Sequence, residues 1–147
     1  MAKYHQGFFR PKFPEKYKGD PTQIVYRSSW ELSAMIKLDR EQEVIQWSSE
    51  ELVIPYRCKT DGKIHRYFTD FWVKMKFTDG TIKEYIIEIK PKVQTLPPKK
   101  PAKINKRYLN EVMTYAKNDS KWEAAKDFCK RRGMEFQILT EVELGVK

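Results

Sequence analysis

Cysteine is scarce in this chain, and the two that occur do not pair by spacing. Cys58 and Cys129 lie far apart and form no CxxC-type motif. That argues against a thiolate zinc centre and against a disulfide framework, so both read as reduced structural residues. Long apolar runs are also missing. No stretch approaches the roughly 20 residues of a membrane helix, and the N-terminus, MAKYHQGFFRPKFPEKYKGD, lacks the hydrophobic core of a secretory signal. A soluble cytoplasmic protein with no membrane partner is expected. Repeats and internal linkers are absent, so the 147 residues read as a single domain with room for a sizeable core.

What is present in excess is positive charge. Lys and Arg number 29 against 20 Asp and Glu, a net charge of +9. An imbalance of that size favours a polyanionic partner, nucleic acid above all. With 40% hydrophobic and 14% aromatic residues, the composition is that of a folded protein and not of a disordered basic tail.

Residues 1–24 read as an extended basic and aromatic arm without periodicity, and 25–147 as the folded domain. In the arm, Phe8, Phe9, Phe13 and Tyr17 alternate with basic residues and have two readings: docking on a partner protein, or packing on the core. A helix starts at SSWELSAMIKLDR, with Ser28 as N-cap and Trp30, Leu32, Met35, Ile36 and Leu38 on its apolar side. Three strand-like runs follow: 51–58, 64–77 and 81–90. Asp61-Gly62 and Asp79-Gly80 separate them, a strong hairpin signal that predicts an antiparallel meander with positive φ at both turn residues. These aspartates are thereby explained as turn residues. After a Pro/Lys loop at 91–103, one helix is expected at about 104–118, with Ile104, Tyr108, Leu109, Val112, Met113 and Ala116 on one face. A second is expected at about 120–132, opened by a Ser120-x-x-Glu123 capping box and stopped by Gly133. A short strand at 134–140 and a helical turn close the chain. The predicted order is αβββααβ(α).

Two of the central strands break their own pattern. EYIIEIKPK (84–92) carries Glu88 and Lys90 within an apolar run, and YFTDFWV (67–73) surrounds Asp70 with aromatics. A carboxylate in such a setting needs a cation, a set of donors or a metal. Glu88 and Lys90 are two apart and share a face of their strand. If the strand carrying Asp70 ends beside them, all three converge. One reading is an ion pair that holds two strands in register. The other is a hard oxygen site of two carboxylates and the Ile89 backbone carbonyl, suited to Mg²⁺ or Mn²⁺. There the ion would activate water against a phosphodiester and Lys90 would orient that water or offset developing charge.

Helix, three-strand meander with D…E-x-K, then helix and strand resembles the PD-(D/E)xK nuclease superfamily over roughly residues 25–140. Thr69 stands where the superfamily name has proline. The blocks YRSSWEL (26–32), IPYRCKTDGKIHRYFTDFWV (54–73), IIEIKPK (86–92) and KWEAAKDFCKRRGMEFQILTEVELG (121–145) are similar to the head-completion proteins of large contractile-tailed bacteriophages. They are more distantly similar to the endonuclease domain of Tn7-type transposases. The resemblance implies an α/β fold with a nuclease-like core and a central mixed sheet flanked by helices. It implies a Mg²⁺- or Mn²⁺-dependent DNA endonuclease without a small-molecule cofactor, with Asp70, Glu88 and Ile89 at the metal and Glu31 completing or supporting a second position. It also implies action in the host cytoplasm during assembly or at the virion neck, against portal or neck proteins. Glu31 has a competing explanation, since Ser28-x-x-Glu31 is itself a capping box.

Arg27 and Arg66 are candidates to hold a phosphate of double-stranded DNA. Lys92, Lys99, Lys100, Lys103, Lys106 and Arg107, with Lys90, make a basic loop beside the expected site, suited to the DNA backbone. His65, a lone histidine at a strand start, reads as ordinary. Tyr115, Lys121 and Trp122 are placed on helices behind the sheet, with Trp122 in the core, and Gln137 in the last strand is a further candidate for the site. The rival to catalysis is a structural assembly protein on a nuclease scaffold that binds DNA and portal without cutting. A transposase-associated or repair endonuclease is a third reading.

Overall fold

The computed structural model describes residues 4–146. Four strands form the central sheet: β3 (Val44–Ser49), β6 (Phe71–Lys76), β7 (Ile82–Ile89) and β8 (Glu135–Leu139), in that spatial order. The first two pairings are antiparallel and β7–β8 is parallel, so the sheet is mixed, as expected for this α/β class. Two hairpins flank it: β1 (Tyr4–Phe8) with β2 (Val25–Ser28), and β4 (Val53–Arg57) with β5 (Ile64–Phe68). The helices are α1 (Ser29–Arg40), α2 (Lys106–Arg132) and the short α3 (Glu141–Leu144).

Alternation along β7 sends its side chains into two cores. Tyr85 and Ile87 join Trp47, Phe71 and Val73 against Ala34 and Met35 of α1. Ile86 turns the other way and meets Ala125 and Cys129 of α2 together with Ile54, Tyr56, Cys58 and Tyr67 of the β4–β5 hairpin. Both cysteines are thus free and buried, and burial pushes the Cys129 thiol up to about 11, which leaves it unreactive. Trp47 anchors the first core. It is fully buried and meets Tyr17, Phe9 and Phe71 at ring-centroid distances of 4.8, 5.9 and 6.3 Å. Trp47→Ala should therefore cost about 3–5 kcal/mol of stability, read as a drop in the urea midpoint with an unchanged slope.

The chain departs from the sequence expectations in four places. The segment expected as an arm is part of the domain from residue 4 onward. Phe9 and Tyr17 lie in the first core, and the buried Asp39 of α1 accepts hydrogen bonds from Lys12 N (2.7 Å) and Phe13 N (3.1 Å). β3 was not expected at all. The run 64–77 is two strands, not one. It breaks at Thr69, whose N–H and hydroxyl both donate to the Leu52 carbonyl, at 3.1 and 3.0 Å. A proline there would lack the first of these donors. Helices expected at 104–118 and 120–132 are one continuous helix, and Ser120 is not an N-cap. Its hydroxyl donates to Ala116 O (3.0 Å) and accepts from Lys59 N (3.1 Å), while Lys59 also pairs with Asp119 and Glu123. The β4–β5 turn thereby holds straight a stretch, Asn118-Asp119-Ser120, that local propensity would break.

Both Asp-Gly turns are present. The glycines alone take positive φ (70° at Gly62, 87° at Gly80), while Asp61 and Asp79 accept from the N–H two residues on. Those bonds hold both carboxylates below the usual range, as turn residues and not as site residues. Among the described residues no helix is long and apolar enough to cross a membrane.

Candidate active site

Register decides whether the charges inside the sheet meet. β6 and β7 run antiparallel with Phe71 opposite Ile87 and Trp72 opposite Ile86. One step further towards the end of the pair, Asp70 falls opposite Glu88. Residues opposite one another share a face, so both carboxylates lie on the α2 side of the sheet. Asp70 Oδ2 accepts from Ile89 N at 2.7 Å, which fixes it to the end of β7. The approach of Asp70 is held from behind by Glu50, whose N–H donates to Asp70 O (3.1 Å). Glu50 is the one non-glycine residue with positive φ (55°) among the described residues.

Glu88 is buried, at 7% exposure. Its Oε2 accepts from the Tyr67 hydroxyl and from Trp122 Nε1 (3.2 Å). Both donors are neutral. Neither Asp70 nor Glu88 has a Lys or Arg ion-pair partner among the described residues. The ion-pair reading of these strands is therefore not what the structure contains. Burial pushes the Asp70 carboxyl well above the usual range; the Glu88 charge and a hydrogen bond with it push the same way, the Ile89 N–H pulls back, and Glu31 adds a smaller push. Burial and Glu88 likewise raise the Tyr67 phenol, which keeps it a donor.

Glu31 sits at the start of α1, whose N-cap is Ser28, as expected: Ser28 Oγ accepts from Glu31 N at 3.1 Å. Glu31 Oε1 accepts from Arg27 N (3.4 Å). Burial raises the Glu31 carboxyl, against the pull of Arg27 and Ser28 and with a push from Glu88. Glu31 is thus near enough to sense Glu88, yet among the described residues no three His, Cys, Asp or Glu side chains gather closely enough to hold a metal between them. The acidic centre is a pair with a third carboxylate close by.

Lys90 follows Ile89 directly. Its N–H donates to Leu139 O (3.0 Å), while its ammonium has neither ion pair nor hydrogen bond among the described residues. Sequence reasoning missed Lys121. It is half-buried on α2, with Nζ 5.6 Å from the Tyr67 ring centroid. Burial lowers its pKa; Glu88 pulls it back up, Lys117 and Lys90 push it further down, and Asp70 raises it. Lys121 therefore faces the acidic pair, with the ammoniums of Lys90 and Lys117 close enough to be felt by it. A signal was available, since Lys117 and Lys121 are four apart on one helical face and Trp122 follows at once. Tyr67 and Trp122 were missed as holders of Glu88, and Trp122 read as core alone.

The other candidates fall as follows. Arg27 is paired with Glu50. Arg66 is exposed on the outer face of the β4–β5 hairpin, over the Phe68 ring at 5.5 Å, on the opposite side from Tyr67 and away from the acids. Lys92, Lys99, Lys100, Lys103, Lys106 and Arg107 are all exposed; Arg107 pairs with Glu111 (3.2 Å), and Lys92 N donates to Glu141 (2.7 Å). His65 bonds Asp61 across the turn (2.7 Å). Gln137 pairs with Ile87 in parallel register, so it lies on the α1 side of the sheet and not with Glu88.

A mixed sheet with two opposed carboxylates and free ammoniums at its end defines a nuclease-class α/β domain, and comparison with known proteins agrees. Residues 41–141 match the model of the TnsA-like endonuclease N-terminal family. The chain is also 46% identical over 141 residues to the head completion nuclease of Enterobacteria phage T4, covering 93% of this chain and 91% of that protein. The chain belongs to this family of phage head-completion nucleases, within the TnsA-like endonucleases.

Proposed function

We propose that this protein is a divalent-metal-dependent endonuclease of phage head completion, acting on the end of packaged double-stranded DNA and preparing the filled head for neck and tail. One observation carries the reading. Asp70 and Glu88 fall opposite each other, held by neutral donors without a Lys or Arg ion-pair partner, and two like charges brought together in a buried site favour a bound cation.

The donor set fits Mg²⁺ or Mn²⁺. Both carboxylates are hard oxygen ligands. In an extended strand a residue's N–H and C=O leave on the same side, so the Ile89 carbonyl leaves on the side where its N–H meets Asp70. Asp70, Glu88 and this carbonyl would hold the ion, with Glu31 supporting a second position. When bound, such an ion polarises the phosphodiester and lowers the pKa of water. The chain's own groups do the rest. Tyr67 and Trp122 hold one Glu88 oxygen so that the other is free to face the site. Lys90 orients the attacking water, and Lys121 and Lys117 draw the scissile phosphate onto the acids and offset developing charge. The exposed lysines at 92, 99, 100, 103 and 106, with Arg107, take flanking phosphates without reading sequence, and Arg27 and Arg66 add contacts further out. The setting is the host cytoplasm during assembly or the virion neck, with portal or neck proteins as partners.

The acidic centre is a pair and not a close triad, which favours a second reading: a scaffold that binds DNA and portal without cutting. Incubation of linear and nicked duplex with Mg²⁺ or Mn²⁺ separates the two. Cleavage that disappears with chelator and falls steeply with salt is expected. An inert wild type in every metal tested would leave the scaffold reading.

A further inference from the structure

The first half of α2, residues 106–117, contains no buried residue; burial on this helix begins at Asn118. At 1.5 Å per residue this is about 18 Å of helix without a buried side chain. The Pro/Lys segment runs alongside it, leaving a slot of about 650 Å³. Val93, Leu96 and Pro97 form one wall, Thr114, Tyr115 and Asn118 the other, and Lys99 and the Arg107–Glu111 ion pair stand at the rim. Val93 and Leu96 are 76% and 57% exposed, so the apolar wall is uncovered.

Two side chains in the slot have no partner. Tyr115 makes neither a hydrogen bond nor a ring contact among the described residues. Asn118 is buried to 7% exposure, and its amide makes no hydrogen bond among the described residues. The amide is not cut off from solvent, so its donors and acceptor are open to a ligand that enters the slot. In sequence both walls adjoin groups of the acidic centre. Asn118 is one helical turn before Lys121 and Trp122, and Val93 is three residues after Lys90.

We propose that this slot binds an unpaired DNA strand continuous with the scissile bond, with Tyr115 stacking on a base and Asn118 bonding a base edge. The proposal rests on the nuclease reading and names its substrate: a duplex end with a single-stranded tail. A volume in the range of small-ligand pockets excludes a duplex, whose major groove alone is about 12 Å wide. An unpartnered tyrosine ring between apolar walls, with Lys99 at the rim and Lys100, Lys103 and Lys106 beyond it, is a combination that single strands use. An acidic peptide would use the rim but has no planar face for Tyr115.

The test is binding in chelator, where no cleavage intervenes. Fluorescence anisotropy compares a labelled blunt duplex with the same duplex carrying a single-stranded thymidine tail. The tailed duplex should bind full-length protein about tenfold tighter. Tyr115→Ala and the slot-filling Thr114→Trp should remove that advantage, Tyr115→Phe should keep it, and blunt binding should stay constant throughout. Equal affinity of the wild type for both duplexes overturns the slot. So does an equal loss on both duplexes in Tyr115→Ala with unchanged circular dichroism, or displacement of the tail alone by polyglutamate. A wild type that prefers tails yet never cuts leaves the slot standing and removes the catalytic reading; one that cuts without preference does the reverse.

Discussion

Asp70→Asn is expected to reduce DNA cleavage by about 10³-fold or more and, in the same molecule, to raise the unfolding temperature of the metal-free protein. The first effect follows from removing half of the ligand pair. A divalent ion supplies several kcal/mol of transition-state stabilisation, at tenfold in rate per 1.36 kcal/mol. The second follows from the electrostatics of the empty site. Burial and the neighbouring Glu88 hold the Asp70 carboxyl well above its ordinary value. An acid whose folded-state pKa is raised stabilises the fold while protonated, and that contribution is lost as pH rises from the unfolded value, about 3.9, through the folded one. Asparagine keeps the shape and the acceptor for Ile89 N but carries no charge to lose. A gain of about 1 kcal/mol, typical of relieving a functional site, moves the midpoint of a chain this long by about 2–4 °C. The gain should shrink as pH falls into the range of unfolded carboxylates. Added Mg²⁺ or Mn²⁺ should raise the wild-type midpoint and leave Asp70→Asn unmoved. Thermal scans at two pH values, with and without metal, decide the matter. An Asp70→Asn protein that melts at or below the wild type would show that the two acids do not oppose each other.

The same geometry explains what could be read from the residues alone. Asp70 and Glu88 were legible because a charge inside an apolar strand is a local anomaly, and the Asp-Gly turn between their strands fixes the pairing that brings them opposite. The groups that hold Glu88 were not legible. Trp122 is 34 positions away, and nothing near it marks its Nε1 as aimed at a carboxylate. α2 shows the limit of periodicity. Leu109, Val112 and Met113 share a helical face, and the helix is there. They are 53%, 37% and 53% exposed, because period 3.6 predicts a stripe and not what covers it. The join at Asn118-Asp119-Ser120 was misread for a related reason. Its helical state depends on Lys59, sixty-one positions from Ser120, which no window reaches. β3 and the packing of residues 9–24 also depend on long-range contacts: Trp47 is buried through Phe9, Tyr17 and Phe71.

Lys90→Ala should lower kcat about 10²–10³-fold, the loss typical when one group aimed at developing charge is removed, with duplex affinity changed no more than a few-fold. Lys90 suits this role because its root is pinned to Leu139 O while its ammonium stays unpaired beside the acids. One charge among many contributes little to binding a polyanion and much to the single bond it faces. Lys121→Ala should cost less, about tenfold, because its ammonium is held over the Tyr67 ring. The contribution of Lys121 can be tested by pH. Burial lowers the Lys121 ammonium, and Lys117 and Lys90 add to this against the pull of Glu88 and Asp70. A lysine with a depressed pKa loses its charge at a lower pH than a free one. Wild-type cleavage should therefore decline on the alkaline side, and Lys121→Arg, which stays protonated, should extend activity upward. A pH–rate profile in which Lys121→Arg and wild type share one alkaline limb, with Lys121→Ala at full rate, would remove Lys121 from the site and leave its work to Lys90 and Lys117.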